Sequence, residues 1–341
     1  MSVPSKMKAI GFTQSLAIAE QDSLVEFETN LPELKEHDLL VKVSATSINP
    51  ADAKIRIRSA QDKTLEQPKV LGYDAVGEVV GKGTDVEGFE LGDRVYYAGD
   101  VTRMGASAEY KAVDYRVTAK APTSLADEAA AVMPLATLTA WEALFDRLRV
   151  RSEEKKSILI IGGAGGVGSI TIQLASQLTN LTVIATASRP ETEQWVRDMG
   201  ADHVVNHRNL VESVREQGIQ HVDYIFNVAD TKGHWESMVE LIAPQGMISS
   251  IVEFDGGIDL SALQGKSAGF VWELMFTRSL FNTDDIQKQQ DILFQAAKLI
   301  DAGRIKSTLT TTLNGFSVET LKDAHQRIES SASIGKTAIK Y

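Results

Sequence analysis

The sequence predicts an α/β protein in which a β-rich domain comes first and a doubly wound parallel sheet follows it. From about Leu135 to Thr277, short apolar strands alternate with helical segments, which is typical of a parallel sheet covered by helices on both faces. Before this stretch, Leu39–Thr46 and Ala75–Val80 have the pattern of strands, and turn-forming glycines follow them. The sequence therefore predicts two domains of different architecture.

We expect the β-rich domain to cover residues 1–131 and the parallel-sheet domain to cover residues 132–283. After Asp284, the sequence predicts two helical segments and a short tail, Lys336–Lys340. Residues 284–341 are expected to return to the β-rich domain.

The elements of the parallel-sheet domain each have their own signal. The first strand is the β-branched apolar run Ser157–Ile161, and the first helix has apolar residues at helical spacing from Val167 to Leu178. A helix over Gly233–Ile242 is expected to end before Pro244, which cannot continue it. The other predicted strands are Leu181–Thr186, Asp202–Val205, Val222–Val228 and Gly246–Val252.

A glycine-rich string joins the first strand of this domain to its first helix, and in this context it matches the dinucleotide-binding fingerprint. Gly163 is expected to make the tight turn, Gly165 to let the backbone approach a pyrophosphate, and Gly168 to let the helix pack close to its strand. The pyrophosphate is expected at the helix N-terminus, where unpaired N–H groups favour an anion. The alternative is a tight turn that binds no ligand. The predicted loop consists of Gly163, Ala164, Gly165, Gly166, Val167 and Gly168.

The end of the second strand indicates which dinucleotide is bound. An NAD site usually has an acidic residue there to bind the ribose hydroxyl, but this chain has Ser188 and Arg189, and its first acidic residue is Glu191. A guanidinium is suited to a phosphate dianion, and His207, after the next strand, is expected at the same corner. We therefore predict NADPH as the cofactor. The alternative is that Arg189 is a solvated loop residue.

Composition excludes several kinds of function. The chain has 43% apolar residues, which can fill two cores, and its formal net charge of −11 argues against a nucleic-acid surface. No apolar run is long enough to span a bilayer, and the first residues lack the apolar segment of a signal peptide, so we expect no membrane association and a cytoplasmic location. The absence of cysteine excludes disulfides, a thiol nucleophile and thiolate zinc sites.

Several short motifs follow one another along the chain: Met7–Ile10, Asn49–Asp52, Gly72–Val79, Gly92–Val95 and the glycine-rich string. Their order resembles that of the medium-chain dehydrogenase/reductase superfamily. The segment Pro134–Leu144 is similar to the entry into the nucleotide domain in the quinone oxidoreductase branch of that superfamily. Trp272–Arg278 and Ile334–Lys336 resemble a bacterial subset often called zinc-type alcohol dehydrogenase-like. Together the motifs span nearly the whole chain.

This resemblance implies a GroES-like first domain, a Rossmann domain and a homodimer whose nucleotide-domain sheets join edge to edge. It also implies NADPH-dependent hydride transfer to a quinone, an α,β-unsaturated carbonyl or a related reactive carbonyl compound. The substrate is expected in a cleft between the two domains. Two alternatives stay open: a carbonyl/alcohol dehydrogenase that acts at the carbonyl carbon, and a catalytically idle NADPH-binding scaffold or sensor.

The chain departs from the zinc-dependent branch of the superfamily at its ligand positions. Where that branch has a Cys three residues before an Asp, this chain has Asn49, and where it has Gly-His-Glu, this chain has Gly72, Tyr73 and Asp74. The structural zinc loop with four cysteines is missing as well. Because a zinc site normally includes imidazole or thiolate ligands, we predict no metal site.

Without a metal, hydrogen-bond donors have to stabilise the charge that develops on the substrate oxygen. The resemblance places Asn49 and Tyr73 in the substrate pocket, and we predict both as catalytic residues, with Tyr73 as the better proton donor. A phenol has an ordinary pKa of about 10 and would need help from the cofactor or from a neighbouring cation, which Arg56 or Arg58 could supply. The alternatives are that Asn49 caps a helix and that Tyr73 is a packed core residue.

Further cofactor contacts follow from family position and from the strand ends of the predicted sheet. The residues predicted to contact the cofactor in this way are Thr139, Asn227, Val228, Ile251, Val252, Phe276, Thr277 and Lys336.

Two acidic residues near the predicted catalytic residues, Asp52 and Asp74, suggest a pair of acids. We expect instead that Asp52 caps a helical segment, Ala53–Arg58, or pairs with a local arginine.

Overall fold

Strand pairing in the computed structural model, which describes residues 4–330 and 332–341, builds a six-stranded parallel sheet and two further sheets. The chain divides into two units. Met1–Leu135 with Phe276–Tyr341 forms the β-rich unit, and Ala136–Met275 forms the parallel-sheet unit. The α/β fold class and the two architectures that the sequence predicts are confirmed.

The first part of the β-rich unit consists of short strands joined by turns. Gly88 and Gly92 have positive φ angles of 77° and 90°, a conformation that glycine adopts without steric strain. The strands are β1 (Lys6–Phe12), β2 (Val25–Asn30), β3 (Asp38–Ser47), β4 (Lys69–Val70), β5 (Ala75–Lys82), β6 (Arg94–Tyr97), β7 (Tyr110–Asp114) and β8 (Thr118–Lys120). The helices are α1 (Pro50–Ser59) and α2 (Asp127–Ala131).

The middle of the chain alternates strands and helices as the sequence predicts. Helix α3 (Pro134–Trp141) leads into a π-helical turn, Glu142–Arg147. The strands that follow are β9 (Ser157–Ile161), β10 (Thr182–Thr186), β11 (His203–Val205), β12 (Val222–Asn227), β13 (Ile242–Ser250) and β14 (Gly269–Trp272). The helices between them are α4 (Gly166–Leu178), α5 (Pro190–Asp198), α6 (Leu210–Glu216) and α7 (Trp235–Leu241).

The last part of the chain belongs to the β-rich unit again. It contains α8 (Thr277–Leu280), α9 (Lys288–Asp301), β15 (Leu309–Asn314), α10 (Val318–Glu329) and β16 (Lys336–Lys340). Strand β16 pairs antiparallel with β3, with Ala338 opposite Ser47. The C-terminal tail therefore adds a strand to the sheet of the β-rich unit.

The strands of the β-rich unit form two sheets. A seven-stranded sheet has the order β15-β16-β3-β5-β6-β8, with β7 also paired to β3, and a three-stranded sheet has the order β2-β1-β4. Strand β3 thus has three neighbours, β5, β7 and β16. The first residues after β3 carry Asn49, so this central strand fixes the position of a predicted site residue.

The parallel sheet has the order β11-β10-β9-β12-β13-β14, and every pair in it is parallel. This is the Rossmann strand order, in which the direction of progression reverses between β9 and β12. Ligands of such sheets bind outside the carboxyl ends of the strands at this reversal. The loops after β9, β10, β12 and β13 therefore form the predicted binding edge.

The prediction around Pro244 needs a correction. Helix α7 ends at Leu241, and Pro244 lies within β13 instead of between a helix and a strand. The pairing of β13 with β12 is interrupted between Ile242 and Met247, and Pro244 falls in this interruption, where it does not have to donate a hydrogen bond to the neighbouring strand. Gln245, next to it, has a positive φ of 63°.

Both units have apolar cores. In the parallel-sheet unit, the core lies between the sheet and helices α6 and α7, and it includes Leu159, Ile225, Val214 and Met238. In the β-rich unit, Leu39, Val41, Val79 and Val95 are among the residues of the core. Within residues 4–330 and 332–341, no helix combines the length and the apolar character needed to cross a membrane.

One charged residue lies inside the β-rich unit without an acidic partner in hydrogen-bond contact among the residues that the structure describes. Lys111, on β7, has an exposed fraction of 2%, and its Nζ donates a hydrogen bond to the carbonyl of Met104. Burial, together with the nearby Arg103 guanidinium, lowers the pKa of the Lys111 amine to about 7. The folded state therefore binds this proton much more weakly than the unfolded chain does.

We predict that Lys111→Met raises the melting temperature at pH 7 by at least about 2 °C, because it removes the desolvation free energy that burial of an amine costs. The unfolded chain holds the lysine proton between about pH 7 and 10 and the folded chain does not, so the stability of the wild type rises over this range. The difference between the proteins should therefore shrink toward pH 10. Thermal melts at several pH values measure this, with the exposed Lys63→Met as control. A lower melting temperature for Lys111→Met than for the control would contradict the prediction.

Candidate active site

The glycine-rich loop between β9 and α4 has the geometry of a close strand-to-helix turn. A Cβ on Gly168 would lie 2.2 Å from the carbonyl oxygen of Gly162, so only glycine allows the helix to pack this near the strand. A Cβ on Gly163 would lie 3.0 Å from the Cβ of Ala185 on the neighbouring strand. Next to Gly165, in contrast, the nearest atom would be 3.7 Å away. The surface at Gly165 is therefore open to a ligand.

Gly163 lies in the tight turn between β9 and α4, which the backbone N–H of Gly165 closes by donating to the carbonyl of Gly162 at 3.3 Å. The left-handed conformation in this turn belongs to Gly162, whose φ is 92°, one residue before the fingerprint. Strand β9 ends at Ile161, so the chain begins to turn at Gly162, and Gly163 also packs closely against β10. The remaining loop residues, Ala164, Gly166 and Val167, lie at the N-terminal end of α4, which begins at Gly166.

Thr186 is a loop-positioning residue that the sequence analysis missed. It is the last residue of β10, and its Oγ1 accepts a hydrogen bond from the backbone N–H of Gly162 at 2.9 Å. This contact holds the turning glycine against the adjacent strand. Its signal in the sequence was a hydroxyl residue at the end of the second strand, at a position where such loops need an acceptor.

The predicted phosphate corner lies where β10 and β11 end side by side. Thr186 pairs with Val205, and the chain continues from β10 into Ser188 and Arg189, both half-buried. Arg189 is the N-cap residue of α5, which begins at Pro190, and its Nε lies 2.9 Å from Glu191 Oε1. The Glu191 carboxylate therefore partly neutralises this arginine.

His207 follows β11 and begins a 3₁₀ turn, His207–Asn209. Its ring packs edge-on against the ring of His234, with centroids 6.2 Å apart. Because Val205 and Thr186 are neighbours in the sheet, His207 comes after the strand next to the one that leads to Ser188 and Arg189. The predicted corner is therefore assembled from two adjacent strand ends.

The carboxyl ends of β12 and β13 are joined by a buried polar network. The amide Nδ2 of Asn227 donates to Thr231 Oγ1 at 3.0 Å and to Ser250 Oγ at 3.1 Å, and Thr231 Oγ1 donates to the carbonyl of Val252. Asn227 has an exposed fraction of 0%, and its amide nitrogen donates to protein groups of the described residues and not to solvent. We conclude that it shapes the loop edge that carries Val228, Ile251 and Val252, which are half-buried.

Two more of the predicted cofactor residues are nearly inaccessible. Thr139, on α3, has an exposed fraction of 4%, and Phe276 has one of 5%. Thr277, the first residue of α8, is half-buried. Phe276 packs edge-on against Tyr73, with ring centroids 5.5 Å apart. Of these residues, Thr139 belongs to the parallel-sheet unit, and Phe276 and Thr277 belong to the β-rich unit.

In the β-rich unit, the start of α1 carries Asn49 and Asp52. The helix begins at Pro50, three residues before the predicted segment, because Pro50 can occupy a first helical position. Asp52 closes this end from inside the helix: its carboxylate accepts the backbone N–H groups of Asn49 and Gly72, both at 2.9 Å. Burial, with a smaller effect of the nearby Asp74 carboxylate, raises the pKa of Asp52 to about 7. Of the two roles expected for Asp52, the helix cap is confirmed and the pairing with an arginine is not what this carboxylate does.

The Asp74 carboxylate accepts hydrogen bonds from four different residues. Its Oδ2 accepts from Ser47 Oγ at 2.7 Å, from Asn49 Nδ2 at 2.9 Å and from Lys336 Nζ at 2.6 Å. Its Oδ1 accepts from the backbone N–H of Leu135 at 2.7 Å. Both oxygens thus have hydrogen-bond partners, as a carboxylate with an exposed fraction of 0% needs inside the protein.

Lys336 comes from the other end of the chain to complete this cluster. It begins β16, its side chain is 5% exposed, and its Nζ donates to Asn49 Oδ1 as well as to Asp74. The sequence analysis expected Lys336 to contact the cofactor and did not find its pairing with Asp74. A signal was present, because a lysine on a buried strand needs an acidic partner.

Tyr73 lies between the residues of this cluster in sequence, and its side chain is buried. The hydroxyl has no hydrogen-bond partner among residues 4–330 and 332–341. Burial, followed by the carboxylates of Asp52 and Asp100, raises the pKa of Tyr73 above its usual range. Arg56 does not supply the positive charge that was expected beside Tyr73, because its Nη2 pairs with Glu329 at 2.6 Å. Tyr73 therefore stays protonated and can donate a hydrogen bond.

Comparison with known proteins places this geometry in a family. Residues 35–123 match the model of the alcohol dehydrogenase GroES-like domain, and residues 199–339 match that of the zinc-binding dehydrogenases. A zinc-type alcohol dehydrogenase-like protein of Staphylococcus epidermidis is 43% identical over 338 residues, which is 98% of this chain and 99% of that one. The chain belongs to the medium-chain dehydrogenase/reductase superfamily. The family resemblance seen in the motifs is thereby confirmed, and the protein is an oxidoreductase of this superfamily.

Two further members of the superfamily are informative. The crystal structure of a Rhizobium etli protein assigned to the zinc-dependent alcohol dehydrogenases is 41% identical, with a TM-score of 0.94 over 98% of each chain. An Arabidopsis thaliana relative named NADPH-dependent alkenal/one oxidoreductase is 28% identical over 349 residues, which is 99% of this chain and 80% of that one.

The names of several superfamily members contain zinc, but the residues of this chain do not fit a zinc ion. At the corresponding positions, the Asn49 amide and the Asp74 carboxylate are already bonded to each other and to the Lys336 ammonium. Over the part of the chain that the structure describes, there is no group of three or more His, Asp or Glu residues placed to hold a metal. Zinc sites of this kind normally include imidazole or thiolate ligands. Here the Lys336 ammonium, instead of a metal ion, supplies the positive charge beside Asp74.

Proposed function

We propose that this oxidoreductase uses NADPH to reduce an α,β-unsaturated carbonyl compound or a quinone. The observation that carries the proposal is the order of features on the parallel sheet: an open glycine loop at the strand reversal, followed by Arg189 where an NAD enzyme has a carboxylate. The Arabidopsis relative, whose name includes NADPH and alkenal/one, supports the same choice.

Different residues would bind the two charged parts of the cofactor, its pyrophosphate and its 2′-phosphate. The N–H groups at the start of α4 would hold the pyrophosphate, because the first turn of a helix leaves its donors unpaired. Ser188, Arg189 and His207 would hold the 2′-phosphate of the adenosine. When bound, the reduced nicotinamide supplies the hydride.

In the β-rich unit, we assign Asn49 and Tyr73 to the oxygen of the substrate. Adding hydride to the β-carbon of an enone moves an electron pair onto the carbonyl oxygen, and a proton added to the α-carbon completes the saturated ketone. The Tyr73 hydroxyl, with no partner in the described structure, would donate a hydrogen bond to that oxygen. Because its pKa is raised, we assign hydrogen bonding to Tyr73 rather than full proton release.

NADPH oxidation with an alkenal, an alkenone and a benzoquinone tests the proposed reaction. We expect turnover, and with the alkenone we expect the saturated ketone as product. An allylic alcohol would instead support hydride addition at the carbonyl carbon. No turnover, despite micromolar binding of NADPH, would support the idle scaffold and overturn the proposal.

Arg189→Ala tests the choice of cofactor. We predict that the Kd of NADPH rises roughly 10-fold or more, because a charge-assisted contact to phosphate is lost, while the Kd of NADH changes less than about 2-fold because that cofactor lacks the 2′-phosphate. Fluorescence titration measures both constants. Arg197→Ala, an exposed arginine near the other end of α5, is the matched control. Equal weakening of the two cofactors would remove the argument for NADPH.

Tyr73→Phe tests the assignment of the hydroxyl. We predict that kcat falls about 100-fold, the usual effect of removing one donor to a developing oxyanion, with little change in the Kd of NADPH. Tyr97→Phe is a close control, since Tyr97 is also buried with a hydroxyl that has no partner among the described residues. Steady-state kinetics compare the two variants. If both keep the wild-type kcat, Tyr73 is a packing residue.

We also propose a homodimer that forms along β14. This strand is at one edge of the parallel sheet, and Trp272 and Leu274 beside it are 46% and 53% exposed. An open edge with exposed apolar residues is suited to pairing with a second copy of the same strand. Light scattering in solution is expected to give about twice the 37.1 kDa of one chain, and a monomer mass would exclude this dimer.

A further inference from the structure

The Asn49 side chain is bonded at both ends to charged groups. Its Oδ1 accepts from Lys336 Nζ, and its Nδ2 donates to Asp74 Oδ2 at 2.9 Å. The two charged groups are also bonded directly to each other at 2.6 Å. All three side chains are nearly inaccessible to solvent, so the three contacts form a closed, buried ring.

We propose that Lys336 and Asp74 are positioning residues that fix the Asn49 amide in one orientation, leaving one N–H of Nδ2 to donate to the substrate oxygen. The proposal rests on the proposed function, in which Asn49 binds that oxygen. It gives Lys336 a role that differs from the predicted contact with the cofactor.

The ring can fix the orientation because its charged members have opposite hydrogen-bonding abilities. An amide group can be turned by 180° with almost no change in shape, which exchanges its oxygen and nitrogen. The Lys336 ammonium can only donate and the Asp74 carboxylate can only accept, so just one of the two orientations satisfies both. Replacing both charged partners by neutral groups would permit both orientations.

The ring also affects the strength of the donor. A hydrogen bond from a cation to an amide oxygen draws electron density from the nitrogen, so the remaining N–H becomes a better donor. The charge of Lys336 is balanced by Asp74 within the ring. The amide is therefore polarised at a place where the protein does not have to bury a net charge.

The other contacts of Asp74 keep the ring in place from outside. Ser47, at the end of β3, and the backbone N–H of Leu135, at the start of α3, each donate to this carboxylate. On the Lys336 side, the backbone N–H of Ile48 donates to the carbonyl of Thr337 at 3.3 Å. Asn49 is thus bounded by fixed groups on the strand before it and on β16.

The test compares charge-neutral and charge-conserving variants. Lys336→Met alone would leave a buried carboxylate without its counter-ion and is expected to unfold the unit, so the main variant combines Lys336→Met with Asp74→Asn. Lys336→Arg keeps a donor-only cation at the same place. Lys111→Met, which removes another buried lysine of the same unit, is the matched control. For each protein, kcat, KM, the Kd of NADPH and the nitrogen-15 NMR signals of the Asn49 amide are measured.

We expect the double variant to lose about 10-fold or more in kcat, with the Kd of NADPH within about 2-fold of the wild type and with shifted, averaged Asn49 signals. Lys336→Arg should retain more of kcat than the double variant, and Lys111→Met should match the wild type. A folded double variant with wild-type kcat and unchanged Asn49 signals would overturn the proposal. So would a Kd of NADPH that rises as much as kcat falls, because Lys336 would then act on the cofactor.

Failure of the proposed function would be seen separately. If the wild type turns over no carbonyl acceptor, the reaction is wrong, and the NMR comparison alone decides the inference. Asn49 signals that change in the double variant, but not in Lys111→Met, would then support the positioning of the amide. Signals that are the same in all variants would overturn it.

Discussion

The buried carboxylate of Asp74 is the group on which the site of the β-rich unit depends. It accepts hydrogen bonds from the end of β3, the start of α1, the start of α3 and the start of β16. These elements are distant in the sequence, and Lys336 is 262 residues from Asp74. Breaking such a buried pair typically costs about 3–5 kcal/mol. The energetic penalty of an unpaired charge therefore holds the C-terminal strand, the first helix and Asn49 in a single arrangement.

The parallel-sheet unit uses neutral groups for the same purpose. Thr186 holds Gly162 at the end of β9, and the Asn227–Thr231–Ser250 network joins the ends of β12 and β13. The glycine loop lies beside these contacts, where the direction of strand progression reverses. Rigid contacts among the strand ends leave the loop surface available, because the protein's own polar groups are satisfied beneath it. The polar contacts at the strand ends support the loop, and the N–H groups at the start of α4 are left to bind a charged ligand.

The relation to zinc-dependent members of the superfamily follows from side-chain chemistry. The positions that could face a metal carry an amide, a phenol and a carboxylate, and the carboxylate already binds an ammonium. These groups donate hydrogen bonds or neutralise charge, and they provide neither imidazole nor thiolate. Under the proposed function, fixed organic donors stabilise the developing oxyanion. The orientation of these donors then decides how strongly they stabilise the oxygen. This explains why the Asn49 amide is held by two charged groups, Asp74 and Lys336.

Much of the architecture could be predicted from local patterns. The Ser157–Ile161 strand, the glycine loop and the alternation that follows it are encoded by neighbouring residues, so the Rossmann sheet could be derived from the sequence. Two local details differ from the prediction: the left-handed residue of the turn is Gly162, next to Gly163, and α1 begins at Pro50. In both cases one residue's conformation depends on what the next element packs against, which a local pattern does not contain.

The sequence by itself determined the fold class, the candidate cofactor loop and the lack of metal ligands, because each of these depends on residue type and spacing. Only the tertiary structure decided how Asn49, Asp74 and Lys336 meet, and that Arg56 serves Glu329 instead of Tyr73. The physical reason is that charged side chains choose partners by distance and burial in the folded protein. Contacts between residues more than 250 positions apart leave no periodic pattern in the chain.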